Sequence, residues 1–199
     1  MNSCYDTKHC PDELQSTPEF THAWRNYHDL YRIASAACRG SLWAEFGVGV
    51  GKTARRLLDR LPVAGRLFLF DSWQGIPTDW DLGRRMTNPK GSYSFDKPRI
   101  QDTRACFIDG WFKDTLPHEF GHQLGLVHLD CDVYESAHDV LFGLGHQIGA
   151  GTVLIFDELL GYERYAKHEY KALCEWRQQT GHQINWLAKE RFAAVGVVE

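Results

Sequence analysis

Short apolar runs alternate with helical stretches along most of this 199-residue chain, and this alternation restricts the fold more than any other feature. Such runs indicate strands that are buried on both faces, as in parallel sheets whose crossover helices cover both sides. They lie at residues 41–47, 66–71, 104–109, 125–131 and 152–157. The sequence therefore predicts five parallel strands.

The stretches between these strands predict covering helices at residues 53–61, 114–120, 136–148 and 162–180. An earlier helix is predicted to begin with Thr17 as its N-cap and Pro18 in its first turn, and to end at Gly40.

The C-terminal tail departs from this alternation. Residues 183–189 and 192–198 are strand-like, and the two residues between them are too few for a crossover helix, so these strands should pair antiparallel. The predicted fold is α/β, a Rossmann-like, doubly wound, seven-stranded sheet that is mostly parallel and closes with a C-terminal antiparallel hairpin.

The chain length favours one domain, predicted over residues 17–199 after a flexible N-terminus at residues 1–16. One long irregular stretch, residues 75–97, is predicted to be a binding loop or lid and is also the segment most expected to be disordered.

The balance of charge narrows the class of partner. Asp and Glu number 26 against 22 Lys and Arg, giving a net charge of −4, which disfavours nucleic acid and favours a small molecule. No apolar run approaches the roughly 18 residues that a membrane span needs, and the first residues are too polar for a secretion signal. We therefore expect a cytoplasmic protein with no membrane partner.

A glycine-rich turn follows the first predicted strand, in the sequence Glu45-Phe46-Gly47-Val48-Gly49-Val50-Gly51-Lys52-Thr53. Glycines at such a turn let the backbone approach a ligand at a helix start. A P-loop would need glycine at position 46 and a dinucleotide fingerprint would need it at position 52, where the chain has Phe46 and Lys52. An NAD-dependent oxidoreductase is thus a weaker alternative.

The pattern Glu-x-Gly-x-Gly-x-Gly instead resembles motif I of class I S-adenosylmethionine-dependent methyltransferases. Such enzymes need an acidic residue at the end of the second strand for the ribose hydroxyls, and Asp71 stands there. Capping of the following turn is the alternative role for Asp71.

Carboxylates also end two further predicted strands, Asp130 and Asp132 after one and Asp157 and Glu158 after the other. Oxygen ligands converging from two loops suit Mg²⁺ or another divalent cation. For any one of these residues helix N-capping is the alternative, but four of them at adjacent strand ends favour a metal.

Four segments carry a closer resemblance, residues 70–77, 110–117, 129–136 and 151–158. In this order they are similar to the macrocin and mycinamicin O-methyltransferases, a metal-dependent group that acts on sugar hydroxyls of natural products. The resemblance implies S-adenosylmethionine-dependent O-methylation of a hydroxyl on a small molecule, assisted by a divalent cation.

The resemblance also implies roles for particular residues. The methionine end of the cofactor would be held by Glu45, Gly47, Gly49 and Thr53, and the ribose by Asp71. The adenine would be surrounded by Asp109, Gly110, Trp111 and Phe112, with Cys131 beside it. The cofactor set is completed by Gly51, Ser72, Trp73 and Asp130. Trp111 and Phe112 are equally well explained as core aromatics. The implied metal ligands are Asp130, Asp157 and Glu158, and the implied catalytic residues are Asp130 and Asp132.

Two departures from related enzymes leave the mechanism open. Glu158 stands where the family more often has Asp or Asn, and Val133 stands where catechol O-methyltransferases have a lysine base. The base could be Asp130, Asp132 or a histidine, namely His128, His138 or His168. A cofactor-binding protein without catalysis is a further alternative. Tyr162, His168, Glu169 and Tyr170 are predicted to face the substrate, and a homodimer is left open.

Overall fold

The computed structural model of the protein describes residues 6–20 and 28–199. The described strands are β1 (Leu42–Phe46), β2 (Arg66–Asp71), β3 (Trp80–Gly83), β4 (Met86–Asn88), β5 (Ala105–Asp109), β6 (Leu126–Leu129), β7 (Val153–Phe156), β8 (Ile184–Glu190) and β9 (Ala193–Val198). The described α-helices are α1 (His28–Ala37), α2 (Lys52–Leu58), α3 (Phe112–Thr115), α4 (Tyr134–Leu144) and α5 (Glu169–Thr180).

Seven strands form one sheet in the order β5-β2-β1-β6-β7-β9-β8. The first five of these pair in parallel, while β9 is antiparallel to both β7 and β8. The predicted seven-stranded α/β sheet with a C-terminal antiparallel hairpin is confirmed. The chain moves outward in one direction from β1 and in the other from β6, so the carboxyl ends of these two strands bound the crevice in which such sheets bind ligands.

Two apolar cores cover the two faces of the sheet. Helices α1 and α2 pack on one face through residues such as Leu30 and Leu57, and α4 and α5 pack on the other through residues such as Leu141 and Trp176. Because side chains alternate along a strand, Glu45 and Phe46 at the end of β1 point into different layers. Among the described residues, no helix combines the length and apolar character needed to cross a bilayer.

Three predicted helices have different bounds in the structure. The helix predicted at residues 114–120 is the single turn α3, because Pro117 forces the preceding Leu116 out of the helical conformation. Residues 162–168 form turns and a short 3₁₀ segment, so the last helix begins only at Glu169. Helix α4 ends at Leu144 and continues as a 3₁₀ turn through Gln147.

The prediction of a helix start at Thr17 and Pro18 is wrong. Glu19 instead forms an extended bridge with Lys189, and the amide of Phe20 donates to the Lys189 carbonyl at 3.0 Å. The part of that predicted helix at residues 21–27 lies outside the described residues. Within residues 6–16, which the sequence places in a flexible N-terminus, Cys10, Pro11 and Leu14 are buried, and the Leu14 carbonyl accepts from Lys189 Nζ at 2.7 Å.

The stretch predicted to be irregular, residues 75–97, contains the hairpin of β3 and β4. Its two central turn residues, Arg84 and Arg85, both have positive φ, as the tightest hairpin turns require. Trp80 and Leu82 on β3 are buried in a small apolar cluster with Tyr162. This local core, rather than the sheet, holds the segment over the crevice.

Candidate cofactor and metal site

The glycine turn between β1 and α2 is shaped by contact with the neighbouring loop. Gly47, Gly49 and Gly51 all have positive φ, at 93°, 51° and 72°. A Cβ atom on Gly47 would lie 1.9 Å from the carbonyl oxygen of Asp130, which no side chain could tolerate. Glycine at position 47 therefore lets the turn lie directly against the start of the acidic loop after β6.

Asp71, at the end of β2, fixes the glycine turn through its carboxylate. Its Oδ2 accepts hydrogen bonds from the amides of Val48 and Gly49 at 2.8 and 2.9 Å, and its Oδ1 accepts from the amide of Trp73 at 2.7 Å. The capping role expected as an alternative is thus present, and it extends to the glycine turn. Binding of the ribose by Asp71 stays a prediction.

Asp109, at the end of β5, is held in an ion pair. Lys97 Nζ lies 2.7 Å from its Oδ2, and Trp73 Nε1 donates to its Oδ1 at 3.0 Å. The Lys97 ammonium keeps the pKa of the Asp109 carboxyl below its usual range. Phe112, three residues after Asp109, packs edge-on against Phe46, and the centroids of the two rings are 5.5 Å apart.

Three carboxylates after β6 and β7 form an acidic cluster, with one oxygen each of Asp130, Asp132 and Glu158 within 4.8 Å of one another. Burial and the neighbouring Asp157 raise the pKa of Asp132 to about 7, and the same causes raise the pKa of Asp130 and Glu158 well above the usual range. Three carboxylates held this close favour either protonation or a bound cation.

The donor chemistry of the acidic cluster fits a divalent cation. All three groups offer hard oxygen ligands, and Oε2 of Glu158 is buried with no hydrogen-bond partner among the described residues. Asp132 has a positive φ of 59° in a three-residue turn closed by the amide of Val133 on the carbonyl of Cys131 at 2.6 Å. Strained backbone of this kind is typical of functional sites.

Asp157, predicted as a metal ligand, lies outside the acidic cluster and belongs to a buried chain of charged groups. Its Oδ1 is 3.7 Å from Nε2 of His128, whose Nδ1 is 3.4 Å from Oε1 of Glu45. Burial alone lowers the pKa of His128, but the carboxylates of Asp157 and Glu45 outweigh it and raise that pKa to about 10. Tyr31 packs edge-on against the same ring at 5.7 Å.

A cavity of about 1020 Å³ opens at the carboxyl ends of β1 and β6. The predicted site residues that line it are Gly47, Gly49, Thr53, Asp71, Ser72, Gly110, Trp111, Phe112, Asp130, Cys131, Asp132 and Glu158. The others, Glu45, Gly51, Trp73, Asp109 and Asp157, lie behind or beside this lining. None of the three candidate histidines lines the cavity, and neither do Tyr162, Glu169 or Tyr170.

The model of one protein family, described as macrocin O-methyltransferase (TylF), matches residues 32–188, which is more than half of the chain. This chain belongs to the TylF macrocin O-methyltransferase family. The match includes the glycine turn, Asp71 and the acidic cluster.

Relatives of this TylF-family chain share about a third of its residues over the matched part. The 8-demethyl-8-(2,3-dimethoxy-α-L-rhamnosyl)-tetracenomycin-C 4′-O-methyltransferase of Streptomyces olivaceus is 35% identical over 124 residues, covering 54% of this chain and 48% of the relative. The mycinamicin III 3″-O-methyltransferase of Micromonospora griseorubida is 29% identical over 137 residues, covering 59% of this chain and 54% of the relative. The chain spans about half the length of the curated relatives it matches.

Solved structures place the TylF-family chain in the same fold. The O-methyltransferase NovP superposes with a TM-score of 0.65 at 22% identity, covering 85% of this chain and 78% of NovP. The calicheamicin methyltransferase CalS11 superposes with a TM-score of 0.64 at 19% identity, covering 85% of this chain and 76% of CalS11.

Sequence reasoning predicted a substrate-facing role for Glu169, whereas the structure buries this residue behind the acidic cluster. Its Oε1 accepts from the amide of Cys131 at 3.0 Å, and its Oε2 accepts from the amide of Glu158 at 3.3 Å. Burial raises the pKa of Glu169 to about 8, and the two amides partly offset that rise. Glu169 stands in the polar stretch Lys167-His168-Glu169-Tyr170-Lys171, so the local sequence carries no signal that this carboxylate is buried.

Proposed function

We propose that this chain transfers a methyl group from S-adenosylmethionine to a hydroxyl group of a small molecule, namely a sugar or a glycosylated natural product. We propose that a divalent cation assists the transfer and that this cation is Mg²⁺. The observation that carries this proposal is that the glycine turn and the acidic cluster open into one cavity. Family membership supports the reaction type. The names of two relatives, which specify a rhamnosyl tetracenomycin and a mycinamicin, support a sugar-bearing acceptor.

The residues around the glycine turn are suited to a cationic cofactor. S-adenosylmethionine, when bound, supplies an electrophilic methyl group on a positively charged sulfur. Gly47 and Gly49 let the backbone line the cavity without side chains, and Asp71 keeps that backbone in place. Carboxylates at the cavity wall, Asp71 and Asp130 among them, offset the positive charge of such a ligand.

The acidic cluster would hold the cation through Asp130, Asp132 and Glu158. A cation bound there supplies positive charge that lowers the pKa of a nearby hydroxyl. The same loop provides the proton acceptor, and we assign that role to the pair Asp130 and Asp132, because both line the cavity while the candidate histidines do not. Asp157 stays in the proposal as a further ligand expected from the sequence, with its Oδ1 3.7 Å from Nε2 of His128.

The acceptor would lie against an apolar wall opposite the acidic cluster. Residues of the β3–β4 hairpin and the segment after it line this wall, and they are Trp80, Leu82, Met86, Tyr93 and Phe95. Apolar lining with a few polar groups is typical of small-molecule sites, and the cavity is large enough for a cofactor together with an acceptor. A cytoplasmic location and a homodimer remain parts of this proposal that rest on the sequence.

Calorimetric titration with S-adenosylhomocysteine tests the cofactor assignment. We expect saturable one-to-one binding by the wild type, and at least tenfold weaker binding by Asp71→Ala, because the glycine turn then loses two of its hydrogen bonds. Asp59→Ala, at the other end of α2, is the control and should bind normally. Absence of binding by the wild type would contradict the proposal, and tight binding of NADH would favour an oxidoreductase.

A methyl-transfer assay tests the reaction and the cation separately. Labelled S-adenosylmethionine is incubated with a panel of rhamnosylated aromatic polyketides and macrolides, with Mg²⁺ or after treatment with a chelator. We expect transfer that falls at least a hundredfold on chelation and returns with Mg²⁺. Transfer that survives chelation would remove the cation from the proposal, and cofactor binding without transfer to any acceptor would favour a non-catalytic protein.

A further inference from the structure

Glu169 is a fully buried carboxylate that the proposed reaction does not use. It is the first residue of α5, with no exposed surface, and it does not line the cavity. Acidic side chains are rarely buried without a specific partner, because removing a carboxylate from water is costly. Its partners therefore indicate why it lies there.

Those partners are the amides of two different loops. Oε1 accepts from Cys131, which stands between Asp130 and Asp132 after β6, and Oε2 accepts from Glu158, which stands after β7. Strands β6 and β7 are parallel neighbours whose backbone ladder ends where the amide of Asp157 donates to the Leu129 carbonyl at 2.9 Å, and among the described residues no backbone hydrogen bond joins their loops beyond that point. The Glu169 carboxylate supplies the missing connection.

We propose that Glu169 is a positioning residue that fixes the separation of these two loops and so holds Asp130, Asp132 and Glu158 in one cluster. The role of that cluster in binding a cation rests on the proposed function. A positioning residue of this kind does not bind the cation itself. It keeps the ligating side chains within a fraction of an ångström of the geometry that cation binding requires.

Glu169 is well placed for this task because its own position is rigid. Ala172, Leu173 and Trp176 bury the inner face of α5 in the core, and the preceding His168 donates through Nε2–H to the carbonyl of Asp81, 2.9 Å away. Tyr162, on the segment before α5, donates to the carbonyl of Glu158 at 3.2 Å. The backbone of Glu158 is therefore held by hydrogen bonds at both its N–H and its carbonyl.

The chemistry of the two bonds requires glutamate. Each bond needs an acceptor, and glutamate presents an oxygen at both positions, whereas glutamine would direct an NH₂ group at one of the amides. Aspartate is one methylene shorter and cannot bridge both amides from the same backbone position. Loss of either bond leaves a buried N–H without a partner.

The experiment compares Glu169→Gln and Glu169→Asp with the wild type. Glu175→Gln is the matched control, because it makes the same substitution in the same helix at a more exposed position, where the carboxylate accepts from Tyr134 Oη at 2.7 Å. Three quantities are measured for each protein, namely the hydrogen exchange rates of the Cys131 and Glu158 amides, the affinity for Mn²⁺ by calorimetry, and the affinity for S-adenosylhomocysteine.

In Glu169→Gln we expect exchange of at least one of the two amides to speed up at least tenfold and Mn²⁺ affinity to fall at least tenfold. Affinity for S-adenosylhomocysteine should fall much less than Mn²⁺ affinity, because the hydrogen bonds from the glycine turn to Asp71 are untouched and the shifted loop reaches the cofactor only through Asp130 and Cys131. Glu169→Asp should show the same pattern, and Glu175→Gln should match the wild type in all three measurements.

Unchanged amide exchange in Glu169→Gln would overturn the proposal, and so would a parallel loss of both affinities, which would indicate a role in overall folding. If neither variant folds, amide exchange in the wild type tests the proposal. Exchange of the Cys131 and Glu158 amides as fast as that of exposed loop amides would overturn it. If the wild type binds no Mn²⁺, that result contradicts the proposed cation site and not the role of Glu169. The exchange rates of the Cys131 and Glu158 amides then test the positioning role by themselves.

Discussion

The imidazole of His128 lies between two carboxylates, with Nδ1 3.4 Å from Oε1 of Glu45 and Nε2 3.7 Å from Oδ1 of Asp157. His128 and Glu45 have no exposed surface, and neither has a well-aligned hydrogen-bond partner among the described residues. The two carboxylates raise the pKa of His128 to about 10, and the ring links β1, which carries the glycine turn, to the loop after β7. Oδ1 of Asp157 faces this ring, and the Asp157 charge also acts on Asp130, Asp132 and Glu158, whose pKa values it raises.

Replacement of His128 should give a pH-dependent loss of stability. Breaking a buried ion pair costs about 3–5 kcal/mol, so His128→Gln should lower the free energy of unfolding by about that amount near pH 6.5. Because the folded-state pKa is raised to about 10 from 6.5, the stabilisation by His128 is complete below pH 6.5 and is lost as the pH rises through about 10.

Urea unfolding of both proteins from pH 6 to pH 10.5, in a chelator and without cofactor, measures this difference. His122→Gln replaces an exposed histidine and should follow the wild type throughout. A His128→Gln deficit that stays constant across the range would contradict a charged His128.

Alanine at Gly47 should disrupt the site more than alanine at a glycine with similar backbone geometry. Gly47 and Gly151 have φ of 93° and 90°, but a Cβ at position 47 would lie 1.9 Å from the Asp130 carbonyl whereas one at position 151 meets nothing within 4 Å. Gly151→Ala should cost only the backbone strain, about 1–3 kcal/mol. Gly47→Ala should cost more and reduce S-adenosylhomocysteine affinity at least tenfold; equal effects in thermal unfolding and calorimetry would argue against this packing.

Met86 on β4 should affect the acceptor and not the cofactor. It lines the cavity and is 38% exposed, so removal of its apolar side chain takes contact area from an acceptor. Met86→Ala should raise the KM for an acceptor about three- to tenfold, at roughly 0.8 kcal/mol per methylene lost, with kcat unchanged. Val63→Ala, at a residue that is 94% exposed, is the control and should leave KM and kcat in steady-state assays unchanged. A fall in kcat without a change in KM would argue against an acceptor wall at the hairpin.

His168 should make the attachment of the β3–β4 hairpin sensitive to acid. Burial lowers the pKa of His168 below its usual 6.5, so the folded protein holds it neutral with Nε2 at the Asp81 carbonyl. The unfolded chain binds the proton first, and stability from this group is present above pH 6.5 and is lost as the pH falls through the lowered pKa.

The variant His168→Gln keeps an N–H donor and does not titrate. Its free energy of unfolding should therefore fall less than that of the wild type between pH 7 and pH 5, while His168→Ala should lose about 1 kcal/mol already at pH 7. Parallel pH profiles for the wild type and His168→Gln would contradict a buried neutral histidine.

The sequence predicts the sheet well because its strands are buried on both faces. Every residue of β7 is buried, so a continuous apolar run is the only pattern compatible with its place. The β3–β4 hairpin was not predicted, because β4 is three largely exposed residues that pair only with β3. Helix α3 is short for a local reason, Pro117, whose effect on the preceding residue the spacing of apolar residues does not show.

The candidate site was predicted in its composition but not in its orientations. Strand ends and glycines identified the cavity-lining positions, yet nothing in the local pattern indicates that Asp157 faces His128 while Asp132 joins Asp130 and Glu158. These directions depend on a strained turn at Asp132 and on a histidine two residues before Asp130. Glu169 could not be assigned at all without tertiary structure, since its partners are backbone amides 38 and 11 residues away.

The short extended segment at Glu19 and Phe20 has a consequence for the sheet margin. Strand β8 is the last of the seven, and unpaired backbone groups on such a strand can recruit strands from other molecules. Here the amide of Lys189 donates to the Pro18 carbonyl and its carbonyl accepts from Phe20, so the C-terminal end of β8 is already paired. The N-terminal segment thereby shields that end of the strand from pairing with another molecule.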